Sequence, residues 1–248
     1  MRRLILEIRA RWLANLGDRE RSAGRYDQAE RLLAEALVLA ERAGGTDSVL
    51  VMTLLNSLGM VHKYQGRFAD GMPAYRRALR IARRRFSGEH HVLASLYHNL
   101  GGLEHARGRH ARGEPFARRA VAIRERALGP DHPDVARDLA ALAAILDGRK
   151  KHHEAEALHR RALAIFERRL RADHPDTATV LANLAACLHA RGCTAEAEAP
   201  ALRAAAMCRK LLGTSHPETT MALSNLAVIQ RALRERREPT PRSLESAP

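Results

Sequence analysis

The chain contains five asparagines, Asn15, Asn56, Asn99, Asn183 and Asn225. Four fall in one column of a 42-residue step, and Asn56 stands one residue off it. An amide side chain carries both donors and an acceptor. A row of amides can therefore clamp the backbone of an extended polypeptide whatever its side chains. Asn is a mediocre helix residue, so its confinement to mid-helix positions needs a reason. The competing reading is that the amides bond from helix to helix and fix the packing.

Thirteen histidines and three cysteines invite a metal reading. His90, His132, His174 and His216 recur at 42 residues, in turns. That step sets them too far apart to share an ion with bonds near 2 Å. They are expected to cap or pack the helix that follows. The pair at His152 and His153 shows no metal-ligand spacing, and Cys187, Cys193 and Cys208 form no CxxC. Cys187 reads as a buried thiol. No P-loop, GxGxxG, HExxH or GxSxG is present, and no inward carboxylate pair suggests acid–base work. The expectation is a protein without catalytic residues, metal or cofactor.

The elements that position the asparagines come from a repeat, which is the first thing to seek in such a chain. Triplets beginning at Asn15, Ser57, Asn99, Ala141, Asn183 and Asn225 start 42 residues apart without an insertion. Gly24, Gly66, Gly108 and Gly192 form a second column, and Ala36, Ala78, Ala120, Ala162 and Ala204 a third. Each unit reads as two helices, A and B. In the third unit, helix A covers roughly 92–107, with Leu93, Leu96, Leu100 and Leu103 at helical spacing. Gly108 makes the turn. Helix B covers roughly 111–127 and ends before Gly129 and Pro130. The small columns at Gly17 and Ala36 mark close helix approach.

Helix-A positions 3, 4, 7, 10 and 11 apart share a face. In successive units that face gathers Asn56, Ser57 and Lys63, then His98 and Asn99, then Arg137 and Asp147, then Thr179 and Asn183. It is small and polar, unlike the Leu-rich opposite face. Arg11, Arg21, Lys63, Arg137 and Arg231 bring positive charge to it against Asp18 and Asp147. An acidic or carboxylate-terminated segment would suit that balance through charge-assisted bonds. A phosphate would suit it as well, and ordinary solvated charge is the competing account.

The columns resemble the tetratricopeptide repeat (TPR) family. The small residue after Leu, the Gly-x-aromatic turn and the helix-B Ala carry the likeness. The period is 42 rather than 34. The phrase LGPDHPDVA (residues 128–136), with NLA and RRALAI, is similar to the longer kinesin light chain repeats. The resemblance covers roughly residues 11–236. It departs at Ser57 and Ala141, where Asn is expected, at Lys150, where the turn Gly is missing, and at 87–91, where His91 replaces Pro. It implies an all-α, right-handed α-solenoid of about five and a half helix-turn-helix units, with helix A on the concave side and its Asn in contact with ligand. The expected units are about 7–48, 49–90, 91–132, 133–174 and 175–216, with a terminal helix at 219–236 and a disordered tail at 238–248. No heptad segment stands outside the repeats, so a motor role is not supported.

Such repeats stack because one helix pair cannot bury its own apolar stripe. The function this implies is a non-enzymatic interaction scaffold. A peptide segment of a partner would lie in the concave groove against Asn15, Asn56, Ser57, Lys63, His98, Asn99, Arg137, Thr179, Asn183 and Asn225. The second reading starts from the net charge of +14. Arg76, Arg77, Arg118, Arg119, Arg160, Arg161 and Arg203 form a helix-B stripe that could hold nucleic acid or another polyanion, with steep salt dependence. Aromatics for base stacking are few. Only four of the 42 basic residues are Lys, which also fits an Arg-favouring, GC-rich coding bias. No apolar run approaches a membrane span, no signal peptide is seen, and three cysteines make no disulfide framework. A cytoplasmic setting is expected. Trp12 is expected to close the N-terminal end, and Val228, Ile229 and Leu233 need cover at the other. The oligomeric state is left open.

Overall fold

In the computed structural model, residues 1–86, 88, 90–171 and 173–237 are described. The tail expected at 238–248 lies outside them. The described residues form eleven α-helices and no strand. They alternate as A and B helices: α1 (Arg2–Ser22) and α2 (Tyr26–Gly44), α3 (Val49–Tyr64) and α4 (Phe68–Arg85), α5 (His91–Ala106) and α6 (His110–Leu128), α7 (Pro133–Gly148) and α8 (His152–Arg169), α9 (Pro175–Ala190) and α10 (Thr194–Leu212), then α11 (Pro217–Arg237). No described helix is long and apolar enough to cross a membrane.

Two compact units divide the chain, Met1–Pro130 and a second beginning at Asp131. In the first, α1, α3 and α5 lie side by side, each backed by its B helix. Its core runs from Ala10 and Leu13 through Leu33, Leu54 and Tyr75 to Leu100, Leu103 and Ile123. In the second, α7, α9 and α11 lie side by side. Two of its clusters join α9 and α10 to α11, through Leu181, Met207 and Ala222 and through Leu184, Ala201 and Ile229.

The turn between A and B is set by backbone chemistry. Gly24, Gly66, Gly108 and Gly192 all take positive φ. Lys150 holds the same place with φ 60°, the one described non-glycine residue to do so. Its Cβ crowds the neighbouring carbonyl there, at a cost of roughly 1–2 kcal/mol. The close approach predicted at the small column is also present. A Cβ on Gly59 would lie 2.6 Å from the Tyr75 ring, and one on Gly17 would lie 2.7 Å from Leu33 Cγ.

The ends differ from expectation in detail. Trp12 does not close the first unit: it is 62% exposed, beside exposed Leu4, Ile5 and Ile8. On α11, Ile229 is buried against the α9–α10 pair and Leu233 packs beside it, whereas Val228 stays exposed.

Candidate functional site

In the first unit, the open face of α3 and α5 is built from one turn each. Asn56 and Asn99 are half-buried and face each other, the Asn99 Nδ2 donating to Asn56 Oδ1 at 2.8 Å. That bond joins adjacent A helices. It consumes one donor of Asn99, and leaves both N–H groups of Asn56 and, on Asn99, the second N–H and the carbonyl. Asn15 is exposed on α1, and His98 is half-buried next to Asn99. Ser57 is the member of the set that turns inward. It is 4% exposed, and its hydroxyl donates to Asp18 Oδ1 at 3.1 Å. A residue so placed supports packing between α1 and α3.

Lys63 closes this face at the end of α3. Its Nζ lies 5.4 Å from the centre of its neighbour Tyr64, and Tyr64 stacks on Tyr26. The same Nζ sits 3.4 Å from where a side chain on Gly102 would begin, so the absence of one on α5 makes room for the ammonium. Burial holds Lys63 below the ordinary lysine pKa, with no acidic group offsetting it. Beyond it His105 and His110 share a ring-to-ring hydrogen bond at 3.1 Å. Burial, then the charges of His110 and Lys63, push His105 down and favour its neutral form.

In the second unit the face is used differently. Arg137 is exposed but engaged, with Asp176 Oδ2 accepting from its Nε at 2.6 Å and Asp134 accepting as well. Those two carboxylates raise its pKa over the opposing effect of burial. The charge here ties α7 to α9. Thr179 is exposed, its hydroxyl donating to the Pro175 carbonyl at 3.1 Å. Asn183 is half-buried and Asn225 exposed. Of the other cations expected on the face, Arg11 pairs with Glu7, Arg21 with Asp18 and Arg231 with Glu235, each within its own helix.

The helix-B arginines are similarly occupied. Arg77 reaches Glu41 at 2.6 Å, and Arg118 reaches Glu114. Arg160 engages both Glu156 and Glu196, and Arg203 engages Glu167. A periodic series runs alongside: Arg84 to Asp47, Arg168 to Asp131, and Lys210 to Asp173. Each joins a helix-B end to the acidic residue of the turn about one repeat earlier. Singly such exposed pairs stabilise by only about 0–1 kcal/mol, but they neutralise much of the stripe. Arg76 and Arg119 remain exposed.

The turn histidines are helix caps. The Nδ1 atoms of His90, His132, His174 and His216 accept from the backbone N–H two residues on, at 3.1 to 3.3 Å. Pro133 and Pro175 open α7 and α9, where a missing N–H costs least. Sequence reasoning did not bring together Asp147, His152, His159 and Cys187. Three helices and the α7–α8 turn place them side by side, at separations that match no local motif.

A tetratricopeptide repeat model matches residues 8–84, 50–112, 92–168, 142–210 and 176–238. A search of curated proteins returned no match. Among solved structures, the "kinesin light chain nearly identical TPR-like repeats" of Podosopora anserina are similar, with TM-score 0.68, 20% identity and coverage of 83% of this chain and 98% of that one. BtubC (BKLC) from P. vanneervenii is similar over 98% of this chain and 87% of its own, with TM-score 0.66 and 20% identity. A Rap protein complexed with Competence and Sporulation Factor follows, with TM-score 0.64, 15% identity and coverage of 92% of this chain and 66% of that one. At such identities the likeness speaks to the fold. The all-helical repeat, the 42-residue columns and the family match over 8–238 agree, and the chain belongs to the tetratricopeptide repeat family.

Proposed function

We propose that this chain is a non-catalytic scaffold that holds an extended segment of a partner polypeptide against its helix-A faces. Repeats of this family support protein interaction in general. The observation that carries the finer reading is a contrast between faces. The helix-A faces keep amides with unused hydrogen-bonding capacity, at Asn15, Asn56, Asn99, Asn183 and Asn225. The helix-B arginines named above are largely tied to carboxylates. Backbone amides of a bound segment would pair with the side-chain amides, and Thr179 and His98 line the same path. Lys63 supplies the one cation of the set whose charge is not already spent on a carboxylate. An acidic residue or terminal carboxylate beside it would recover the solvation that burial removed. Arg137 contributes to the scaffold, since Asp134 and Asp176 hold it. We place the protein in the cytoplasm, in keeping with three free thiols.

The test is capture of partners by the wild type, by an Asn99→Ala/Asn183→Ala variant, and by charge reversal at Arg76, Arg77, Arg118 and Arg119. Loss of at least about tenfold in the asparagine variant, with capture kept in the arginine variant, is the expected pattern; tenfold is about 1.4 kcal/mol. The opposite pattern would move the function to the polyanion stripe, above all if random DNA or RNA were retained at moderate salt and released by the arginine reversal.

A further inference from the structure

The second unit gathers four chemically capable side chains, where the same places one repeat earlier hold only the pair His105 and His110, with Ala117 and Ile145 at the other two. Asp147 ends α7, His152 opens α8, His159 lies two turns further along α8, and Cys187 comes from α9. One carboxylate oxygen of Asp147, a ring nitrogen of His152 and Sγ of Cys187 all lie within 4.8 Å of one another. The Asp147 Oδ1 to His152 Nδ1 separation is 3.1 Å. His159 Nε2 stands 3.2 Å from the other oxygen, Oδ2. His159 is wholly buried, and its Nδ1 has no partner.

The repeat serves as its own control. The place of Cys187 is taken by Arg19 in the first repeat and by Val61, Leu103 and Ile145 in the next three, and that of His159 by Leu33, Tyr75 and Ala117. A cysteine and a buried histidine thus replace core residues at two places that converge on one carboxylate. Ordinary packing has no use for that exchange, because a buried polar atom without a partner costs about 1–3 kcal/mol.

We propose that Asp147, His152 and Cys187 bind a divalent transition metal ion, zinc by the chemistry of the set, with His159 orienting the Asp147 carboxylate. Two nitrogen or oxygen ligands of a tetrahedral zinc lie roughly 3.3 Å apart, from bonds near 2.0–2.1 Å, and sulfur at about 2.3 Å lies only slightly further. The His152–Asp147 separation of 3.1 Å is close to that, and the thiol needs to move by little more than about 1 Å. Thiolate, carboxylate and neutral imidazole sum to two negative charges, which a divalent cation balances in a part-buried site. Binding forms the Zn–S, Zn–O and Zn–N bonds and releases the thiol proton to solvent. In the metal-free protein the thiol donates to the His152 carbonyl at 3.3 Å, and burial, then the nearby Asp147 carboxylate, push it up to about 12. Asp147 and His152 are about a quarter exposed, which gives the ion a way in. Water completes the fourth position. The bond from His159 is the outer contact that fixes a ligand's orientation.

Cobalt(II) is the probe, because a thiolate ligand gives it a charge-transfer band that histidine clusters do not. The untagged wild type should show that band at one ion per chain, lose it when Zn²⁺ is added, and melt at a higher temperature with Zn²⁺. Cys187→Val carries the residue of Val61 and should fold, show no band and gain no thermal shift. Asp147→Asn and His159→Leu should keep the far-ultraviolet helical signal and weaken Zn²⁺ at least about tenfold. A wild type without the band, or Zn²⁺ affinity and thermal shift unchanged in Cys187→Val, overturns the proposal.

Discussion

Four places of the repeat hold Lys63, Phe68, Tyr75 and Leu103 in the first unit, and Asp147, His152, His159 and Cys187 in the second. The backbone is the same in kind: the end of an A helix, the start and middle of its B helix, and the next A helix. In the first unit Tyr75 fills the space under Gly59, and Lys63 ends the helix as an ammonium with no carboxylate beside it. In the second, Asp147 replaces the ammonium and three groups converge on it by hydrogen bonds. Burial alone would raise its pKa, but the bonds from His159, Cys187 and His152 outweigh burial and hold it below the usual carboxylate range. The lesson is that the repeat fixes where a side chain sits and leaves open what it does. Reversing the charge at one place, from Lys63 to Asp147, reverses the kind of ion that the place would favour.

The comparison can be broken at its core positions first. Tyr75→Ala should cost about 3–5 kcal/mol, since a fully buried ring leaves a cavity, read by urea unfolding. His159→Leu should cost less, about 1–2 kcal/mol in metal-free protein, because it loses the bond to Asp147 but also removes an unpartnered nitrogen. Equal losses at both would mean that His159 is ordinary core and would erase the distinction. Gly59→Ala comes next, at about 1–3 kcal/mol, because its Cβ must displace the Tyr75 ring. The corresponding small residue of the second unit, Ala143, already carries a Cβ, and Ala143→Gly should lose only about 1 kcal/mol through helix propensity. At the turns, Lys150→Gly should gain about 1 kcal/mol, while Gly66→Ala should lose a similar amount, since both positions need φ > 0.

The smaller effects sharpen the two faces. A double-mutant cycle on Asn56→Ala and Asn99→Ala should return a coupling of about 0.5–1.5 kcal/mol in stability. No coupling would mean that the pair is held open for ligand alone. Lys63→Met should leave stability unchanged but abolish any preference for acidic over neutral segments in a peptide array. The sign of its pH dependence follows from the depressed lysine pKa. An acidic-peptide preference is present while the ammonium is charged and is lost as pH rises through a value below the ordinary ~10.4 of lysine. Arg84→Ala, breaking the pair with Asp47, should cost under about 1 kcal/mol.

The helices were legible because the period places every Leu, Gly and His column at once. The caps at His90, His132, His174 and His216 could be named as turns, and for the first three the bonding follows from the extended backbone before each helix. The asparagine column was legible as a face, but its chemistry was not. Spacing cannot say that Asn99 spends a donor on Asn56, or that Ser57 gives its hydroxyl to Asp18. The charges were least legible. A count of +14 does not reveal that Arg137 and Arg203 already have carboxylates from neighbouring helices. The Asp147 cluster escaped for a different reason: its members are separated by 5, 7 and 28 residues, distances that a three-helix packing closes and a local motif does not. A signal did exist. His159 breaks an otherwise apolar column and Cys187 follows Val61, Leu103 and Ile145 in its own, so comparing columns rather than motifs would have found both.

The 42-residue step holds without a single insertion from Asn15 to Asn225. A chain written this way can be edited like a tape. Deletion or duplication of a 42-residue block returns every later residue to an equivalent place, whereas a shift of a few residues would misalign every face beyond it. Lineages built on such a chain should vary in whole blocks and in single substitutions at fixed places. New chemistry then arises, as at Asp147, by a handful of replacements in one copy while its neighbours keep the old ones.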